Sequence, residues 1–376
     1  MNIKLLNKIA KCGTCLFDEK YTVAEDVADA DAIMVRSASM HEMDFEPSLL
    51  AIARAGAGVN NIPLDRAADA GIVVFNTPGA NANAVKELAV AALLLSCRKI
   101  VDGINWAKTI DSTEDVAKAV EKGKGAFVGP ELLGKTLGVV GLGAIGAMVA
   151  NTALDLGMKV VGYDPFLSVK AALALDSRVS VVTDLDELYK AADFITLHIP
   201  STPDTKGSIN ANTIAKMKDG VRILNLARAD LVNTADIKAA LDSDKVAAYV
   251  VDFPTNDLCE YKNVVAIPHL GASTPESEDN CAVMAAQELI NYLENGNVVN
   301  SVNYPSVSAP RNCANRVCVL YKACDEALAE IAAITKTANV TNAVKKGYGY
   351  AIVDSNDAID AVALEALSFV IKTRTI

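Results

Sequence analysis

The stretch KTLGVVGLGAIGAMVANTALD, Lys135–Asp155, carries no charge between its ends and has glycines at 138, 141, 143 and 146. An apolar run of about twenty residues is long enough to cross a bilayer. Four glycines weaken a spanning helix, however, and the chain offers no second candidate span. The alternative is a strand, TLGVV, that passes through a glycine turn into a helix, AMVANTALDLG. Residues 141–146 then read Gly-Leu-Gly-Ala-Ile-Gly. In such a turn Gly141 permits the tight bend, Gly143 lets backbone approach a pyrophosphate, and Gly146 lets helix and strand pack closely. The helix start, Ala144 and Ile145 with their flanking glycines, offers free N–H groups and a positive dipole end to phosphate. The next strand, KVVGYD, ends in Asp164, 18 residues after Gly146, near the spacing of a ribose-binding carboxylate. That carboxylate bonds a ribose 2′-hydroxyl and repels a 2′-phosphate, and Pro165 rather than an arginine follows it. NAD is the expected cofactor.

The rest of the chain repeats the alternation of strand and helix. At 376 residues it is too long for one core. AIMVRS (Ala32–Ser37), LLAIARAGAG (Leu49–Gly58) and IVVFNTP (Ile72–Pro78) read as buried strands or strand ends. A buried helix is expected over Asn83–Ile100 and a further helix start at Ser112–Asp115. After the glycine turn, DFITLHIP, GVRILNLAR, KVAAYVVD and NVVAIPH read as successive buried strands. Repeats of this kind imply a parallel sheet covered on both faces. An amphipathic helix is expected from about Thr274 to Asn295. Asn295–Pro310, rich in Asn, Ser and Pro, reads as a linker. Arg311–Ile376 reads as a strand-helix-strand-strand-helix-strand module. The fold class is therefore α/β: two Rossmann-like, doubly wound domains, 1–95 (completed by about 285–300) and 96–284, followed by a small α+β module over 301–376.

Composition narrows the partners. A net charge of −11 supplies no basic field for nucleic acid, and any anionic substrate must be held by local arginines. The first residues, MNIKLLNKIAKCGTC, have short apolar runs broken by lysines, so no secretory signal is expected. Eight scattered cysteines then read as reduced thiols of a cytoplasmic protein, including the Cys12-Gly-Thr-Cys15 pair. Three histidines without clustered ligands give no reason to expect a metal site.

Two residues at strand ends invite a chemical reading. His269, in AIPHLGAST, precedes a turn where active-site groups of open α/β sheets collect; it is either an acid/base or a structural group bonded to backbone. Arg228 ends the apolar run RILNLAR, where its charge must be paired or face a cleft. Both fall at carboxyl ends of strands, so they can converge on one crevice. His198, in LHIP, either lines the cofactor cleft or has a structural role; Pro200 beside it and Asp252, in YVVD, are placed along that cleft, and His41 on the surface.

The glycine motif with Asp164, NLARAD (Asn225–Asp230), VVDFPTND (Val250–Asp257) and PHLGAST (Pro268–Thr274) together resemble the D-2-hydroxyacid dehydrogenase family. RAGAGVNNIPLD (Arg54–Asp65), NTPGANANAVKELAV (Asn76–Val90) and the terminal module narrow the resemblance to its D-3-phosphoglycerate dehydrogenase branch, over essentially the whole chain. The resemblance implies NAD-dependent oxidation of a phosphorylated 2-hydroxy acid at the entry to serine synthesis, with His269 as acid/base and Arg228 on the substrate carboxylate. Arg36 and Arg54 become candidates for the phosphate, and the loop Gly56–Asn60 (Ala57, Gly58, Val59 and Asn60) for the carboxylate through backbone N–H groups. The family couples the histidine to a glutamate, where this chain has Asn256; Asp257 is the expected substitute, with Glu260 further on. The terminal module resembles an ACT domain, which implies serine as an effector. Its first turn, YKACDEAL, lacks the Asn and Pro-Gly that shape such a site, which leaves assembly of a homo-oligomer as the other role. The rival readings are a glyoxylate or hydroxypyruvate reductase of the same family and a non-catalytic NAD sensor.

Overall fold

The computed structural model describes residues 1–376 except Ser112, Glu114, Thr337, Ala338 and the side chain of Lys170. Near-continuous apolar strands set its architecture: AIMV and FITL are buried at every residue, as a parallel sheet covered on both faces requires. The first sheet comprises β1 (Asn2–Leu5), β2 (Thr22–Ala24), β3 (Ala32–Val35), β4 (Ala51–Arg54) and β5 (Val73–Asn76), all parallel, in the order β2-β1-β3-β4-β5. The second comprises β6 (Thr136–Val140), β7 (Lys159–Tyr163), β8 (Ser180–Val182), β9 (Phe194–Leu197), β10 (Val221–Asn225), β11 (Val246–Val251) and β12 (Val264–Ala266). Its order, β12-β11-β10-β9-β6-β7-β8, is that of a dinucleotide-binding sheet extended by one strand. The third is antiparallel: β13 (Asn315–Lys322), β14 (Asn339–Lys345), β15 (Tyr348–Ser355) and β16 (Val370–Thr375), in the order β14-β15-β13-β16. Helices Ala327–Thr335 and Ala361–Glu365 complete a ferredoxin-like module. The α/β class and the three-sheet plan match the expectation.

The units differ from the expected domains. Contacts divide the chain into Met1–Asn81 with Pro275–Ile376, and Ala82–Thr274. The first boundary precedes residue 95 because the helix Ala82–Arg98 belongs to the second unit, where Val85, Ala89, Leu93 and Cys97 pack with Leu137, Phe194 and Leu224. That helix stops at Arg98 because Lys99 is left-handed, φ 46°. The second boundary precedes residue 284 because the helix Pro275–Asn295 lies wholly in the first unit. Of the helix start expected at Ser112–Asp115, Ser112 and Glu114 lie outside the described residues, while Asp115 caps Val116–Gly123 by accepting from Lys118 N.

The terminal module does not stand alone. One face of its sheet, Cys318, Leu320, Tyr350 and Ile352, shares a core with Ile3, Met34, Phe75 and Leu289. The other, Val317, Val319, Ala351 and Val353, packs with Ile331 and Leu364 of the module's helices. Asn295–Pro310 is not a loose linker either, because its apolar residues Val298, Tyr304 and Val307 are buried. Asn303 accepts from Val74 N and donates to Ile72 O, both at 2.9 Å, and so occupies the free edge of β5. The last four carbonyls of a helix have no partner within it. In Pro275–Asn295 arginines reach all of them: Arg374 those of Tyr292 and Leu293, Arg311 that of Glu294, and Arg316 that of Asn295. Among the described residues no helix is long and apolar enough to cross a membrane.

Candidate active site

In the second unit the strand order reverses between β6 and β9, which opens the crevice where an α/β sheet takes its ligand. The glycine turn and His198 both lie there. Gly141 has φ 91°, and a Cβ on it would press on the His198 carbonyl at 2.6 Å. A Cβ on Gly146 would overlap the Gly141 carbonyl, whereas one on Gly143 would meet nothing within 4 Å. The open side of the turn is thus at Gly143. That residue caps the helix Ala144–Asp155 without a side chain, so the N–H groups of Ala144, Ile145 and Gly146 are left for a ligand. Asp164, at the end of β7, accepts from Leu142 N and Phe166 N, both at 2.9 Å, which ties the glycine turn to the neighbouring strand. Each of its oxygens keeps a second lone pair for a ribose hydroxyl. These residues fit the adenosine and pyrophosphate part of NAD.

His198 is a neutral group. Its Nε2 bonds Thr196 Oγ1 at 2.9 Å, and burial pushes its pKa down to about 4. Pro200 is exposed, and its carbonyl accepts from Thr205 Oγ1 at 2.7 Å.

Arg228 and His269 fall just past the carboxyl ends of β10 and β12, and both contact one ring. The Phe253 centroid is 4.4 Å from the imidazole and 5.6 Å from the Arg228 guanidinium carbon. Both side chains are exposed. Arg228 is held from below by Asn225, which is fully buried: its Oδ1 accepts from Ala227 N and Arg228 N, and its Nδ2 donates to Arg228 O at 2.8 Å and to Tyr249 OH at 3.2 Å. His269 has φ 54°, an unusual left-handed conformation. The turn that holds it is clamped by Asp252, whose two oxygens accept from Leu270 N at 2.7 Å and Gly271 N at 2.9 Å. Burial pushes the Asp252 carboxyl above the usual range, while the two donors and the neighbouring His269 pull it back.

Asp252, expected along the cofactor cleft, is therefore turned inward to the His269 turn. Asp257, expected as the partner of His269, is exposed on the turn after Thr255, and no hydrogen bond joins it or Glu260 to the imidazole. Asn225 and Phe253 were not singled out from the sequence. A polar Asn inside the apolar run RILNL was the signal for the first; the second lies within the motif VVDFPTND but no chemistry of its own marked it.

The first unit holds its own cluster. Its strand order reverses between β1 and β3, and there Asn7 Oδ1 accepts from the N–H groups of Arg36, Ser37 and Ala38 at 2.9–3.1 Å. Arg36 pairs with Glu278 at 2.6 Å, and Arg54 Nε donates to the Arg36 carbonyl at 3.1 Å. The Arg54 guanidinium lies directly over the Gly56 backbone, where a Cβ would displace it. The loop beyond it is fixed by Asn76 Nδ2 on the Ala57 carbonyl at 2.6 Å and by a His41–Asn60 carbonyl bond of 3.0 Å; Gly58 and Val59, half-buried, lie between.

Comparison with known proteins bears on this arrangement. Residues 90–271 match the NAD binding domain of the D-isomer specific 2-hydroxyacid dehydrogenases. A hydroxypyruvate reductase of Thermotoga maritima is 39% identical over 287 residues, covering 73% of this chain and 89% of that protein. A D-3-phosphoglycerate dehydrogenase of Synechocystis is 36% identical over 317 residues, 82% of this chain but 55% of its own length. The chain spans about half the length of the curated D-3-phosphoglycerate dehydrogenases it matches. Among solved structures, the NAD+-bound 3-phosphoglycerate dehydrogenase of Entamoeba histolytica superposes with a TM-score of 0.61 at 26% identity, covering 81% of this chain and 98% of that one. With the glycine turn, Asp164 and the Arg228–His269 pair in place, and NAD as the cofactor its fold is built for, the chain belongs to the D-isomer specific 2-hydroxyacid dehydrogenase family.

Proposed function

We propose that this chain oxidises D-3-phosphoglycerate to 3-phosphohydroxypyruvate, as a cytoplasmic enzyme. The observation that carries the reading is the placement of Arg228 and His269 against one ring, Phe253, at the carboxyl ends of strands of one sheet. Bound NAD supplies the acceptor for the hydride that leaves C2. His269 takes the proton of the C2 hydroxyl, so that hydride and proton leave together and a carbonyl remains. Arg228 holds the substrate carboxylate in its fork and polarises the developing carbonyl oxygen. In the absence of a hydrogen-bonded glutamate, the Asp252 clamp keeps the imidazole in position through the backbone of its own turn. Arg36 and Arg54 supply cations for the phosphate, and the Gly56–Asn60 loop supplies backbone donors.

A second reading, reduction of unphosphorylated hydroxypyruvate, is favoured by the name of the Thermotoga relative and by the Arg36–Glu278 pair, which engages one phosphate candidate. The discriminating experiment is NADH oxidation by the purified protein with 3-phosphohydroxypyruvate, hydroxypyruvate and glyoxylate. A preference for the phosphorylated acid, with a loss of about 10²–10⁴-fold in His269→Ala, is the expected outcome. Preference for an unphosphorylated acid selects the second reading. NADH binding without turnover on any of the three overturns both.

A further inference from the structure

Proton transfer needs the His269 imidazole to face the reacting hydroxyl, yet the hydrogen bonds of this residue all stop at its backbone. Its N–H donates to the Ile267 carbonyl at 3.0 Å, its carbonyl accepts from Ser273 Oγ at 3.3 Å, and the Asp252 clamp holds the next two residues. These bonds fix the Cα and leave χ1 and χ2 to whatever touches the ring. For a histidine χ2 is broad and roughly two-fold, so the backbone alone does not choose a plane. Among the described residues no hydrogen bond or ion pair engages either ring nitrogen, and Asp257 and Glu260 point to solvent. The contact the imidazole does make is with Phe253, centroid to centroid at 4.4 Å and tilted by 49°.

Phe253 is anchored by the residues that hold the rest of the site, all within Ala82–Thr274. It follows β11 and Asp252, whose N–H donates to the Asn225 carbonyl at 3.0 Å while its carboxylate grips the His269 turn. Its half-buried ring packs against the core that contains Val251 and Leu258, which gives it a fixed place from which to meet the imidazole. The Arg228 guanidinium carbon sits over the same ring, 5.6 Å from its centroid. An aromatic face within about 6 Å favours a cation, so the ring also suits the imidazolium that exists after proton transfer. We propose that Phe253 is the positioning residue of His269: its ring sets the plane of the imidazole, a task that a hydrogen-bonded carboxylate performs in a histidine–carboxylate pair. Unlike a carboxylate, the ring orients the imidazole without choosing which nitrogen carries the proton. The inference rests on the reading of His269 as the acid/base.

The test is carbon relaxation of the imidazole ring in the full chain, made with isotopically labelled histidine, together with steady-state kinetics. With three histidines in the sequence, the His269 signal is assigned by its loss in His269→Gln. Phe253→Leu keeps apolar bulk and removes the aromatic face. In it the order parameter of the His269 ring is expected to fall below about 0.6, the range of flexible groups. The kcat is expected to fall at least about tenfold, with NADH affinity unchanged. Phe253→Tyr should recover most of both losses, and Phe253→Met, a second aliphatic replacement, should repeat the leucine result. Ring order is read without substrate, so it stays informative if none of the keto acids is turned over. A fall in order then leaves the Phe253 contact standing and removes the acid/base role instead. An imidazole as mobile in the parent as in Phe253→Leu overturns the proposal. So does an unchanged kcat in Phe253→Leu, or a loss confined to KM.

Discussion

The Asn225 carboxamide is the only side-chain bond partner described for the Ala227 and Arg228 N–H groups, and it also bonds the buried Tyr249 hydroxyl. Asn225→Ala is expected to cost about 1–3 kcal/mol in urea unfolding, the range for a buried polar group left unsatisfied. The loss in kcat/KM should exceed what that unfolding explains, because Arg228 is no longer presented at a fixed angle. Steady-state kinetics at a temperature well below Tm separates the two effects. At this scale His269 and Arg228 were legible because each breaks an apolar run at a strand end, where a polar or charged group needs a reason. Their supports were less so. Asp252 was legible as an important residue but not as the clamp of a turn eighteen and nineteen residues on, since its partners are backbone N–H groups with no identity in sequence. Asp257 misled for the opposite reason: nearness along the chain to the usual glutamate position says nothing about which way a one-residue shift in a turn points the side chain.

The glycine turn makes two predictions at the scale of an element. Gly143→Ala places a methyl in open space, so Tm should hold while NADH affinity, followed by fluorescence, falls at least about tenfold as the methyl meets the pyrophosphate. Gly146→Ala drives a methyl into the Gly141 carbonyl, so stability and NADH binding should both be lost. The helix Pro275–Asn295 carries a different liability in Glu288, which is 8% exposed, bonded to Asn300 Nδ2 at 2.8 Å, and pushed up to about 8 by burial. The folded chain therefore holds this proton where the unfolded chain has released it, and stability from this group falls as pH rises from about 4.5 towards 8. Glu288→Gln should remove that slope, with a gain over the parent on the order of 3 kcal/mol by pH 8 in urea melts. Long elements with a continuous apolar pattern were legible from periodicity alone. The short strands β1, β2 and β8 were not, since NIKL, TVA and SVV are too brief and too mixed to stand out until their parallel neighbours pair with them.

At the scale of the whole molecule, the α/β plan followed from alternation and a return of the chain to the first domain near 285–300 was expected, but its extent, all of Pro275–Ile376, was not. No local pattern signals that residues 275–376 close the core opened by residues 1–81. From Arg98 to Glu131 no described residue is buried, although Ile100, Ile104 and Val116 are among those exposed. A second copy of the chain is the expected cover for such apolar surface. Light scattering behind size exclusion should give a dimer or larger, and Ile104→Glu should shift it towards monomer without loss of secondary structure. The order in which the chain is synthesised adds a further consequence of the discontinuous unit. Ala82–Thr274 is contiguous and complete as soon as its last strand emerges, so it can fold first. The sheet of Met1–Asn81, made earlier, must wait for Leu289, Leu320 and Ile352 to cover Ile3, Met34 and Phe75. At ribosomal speed that wait is roughly 15–60 s, during which the apolar face of the amino-terminal sheet lacks the residues that cover it in the folded chain.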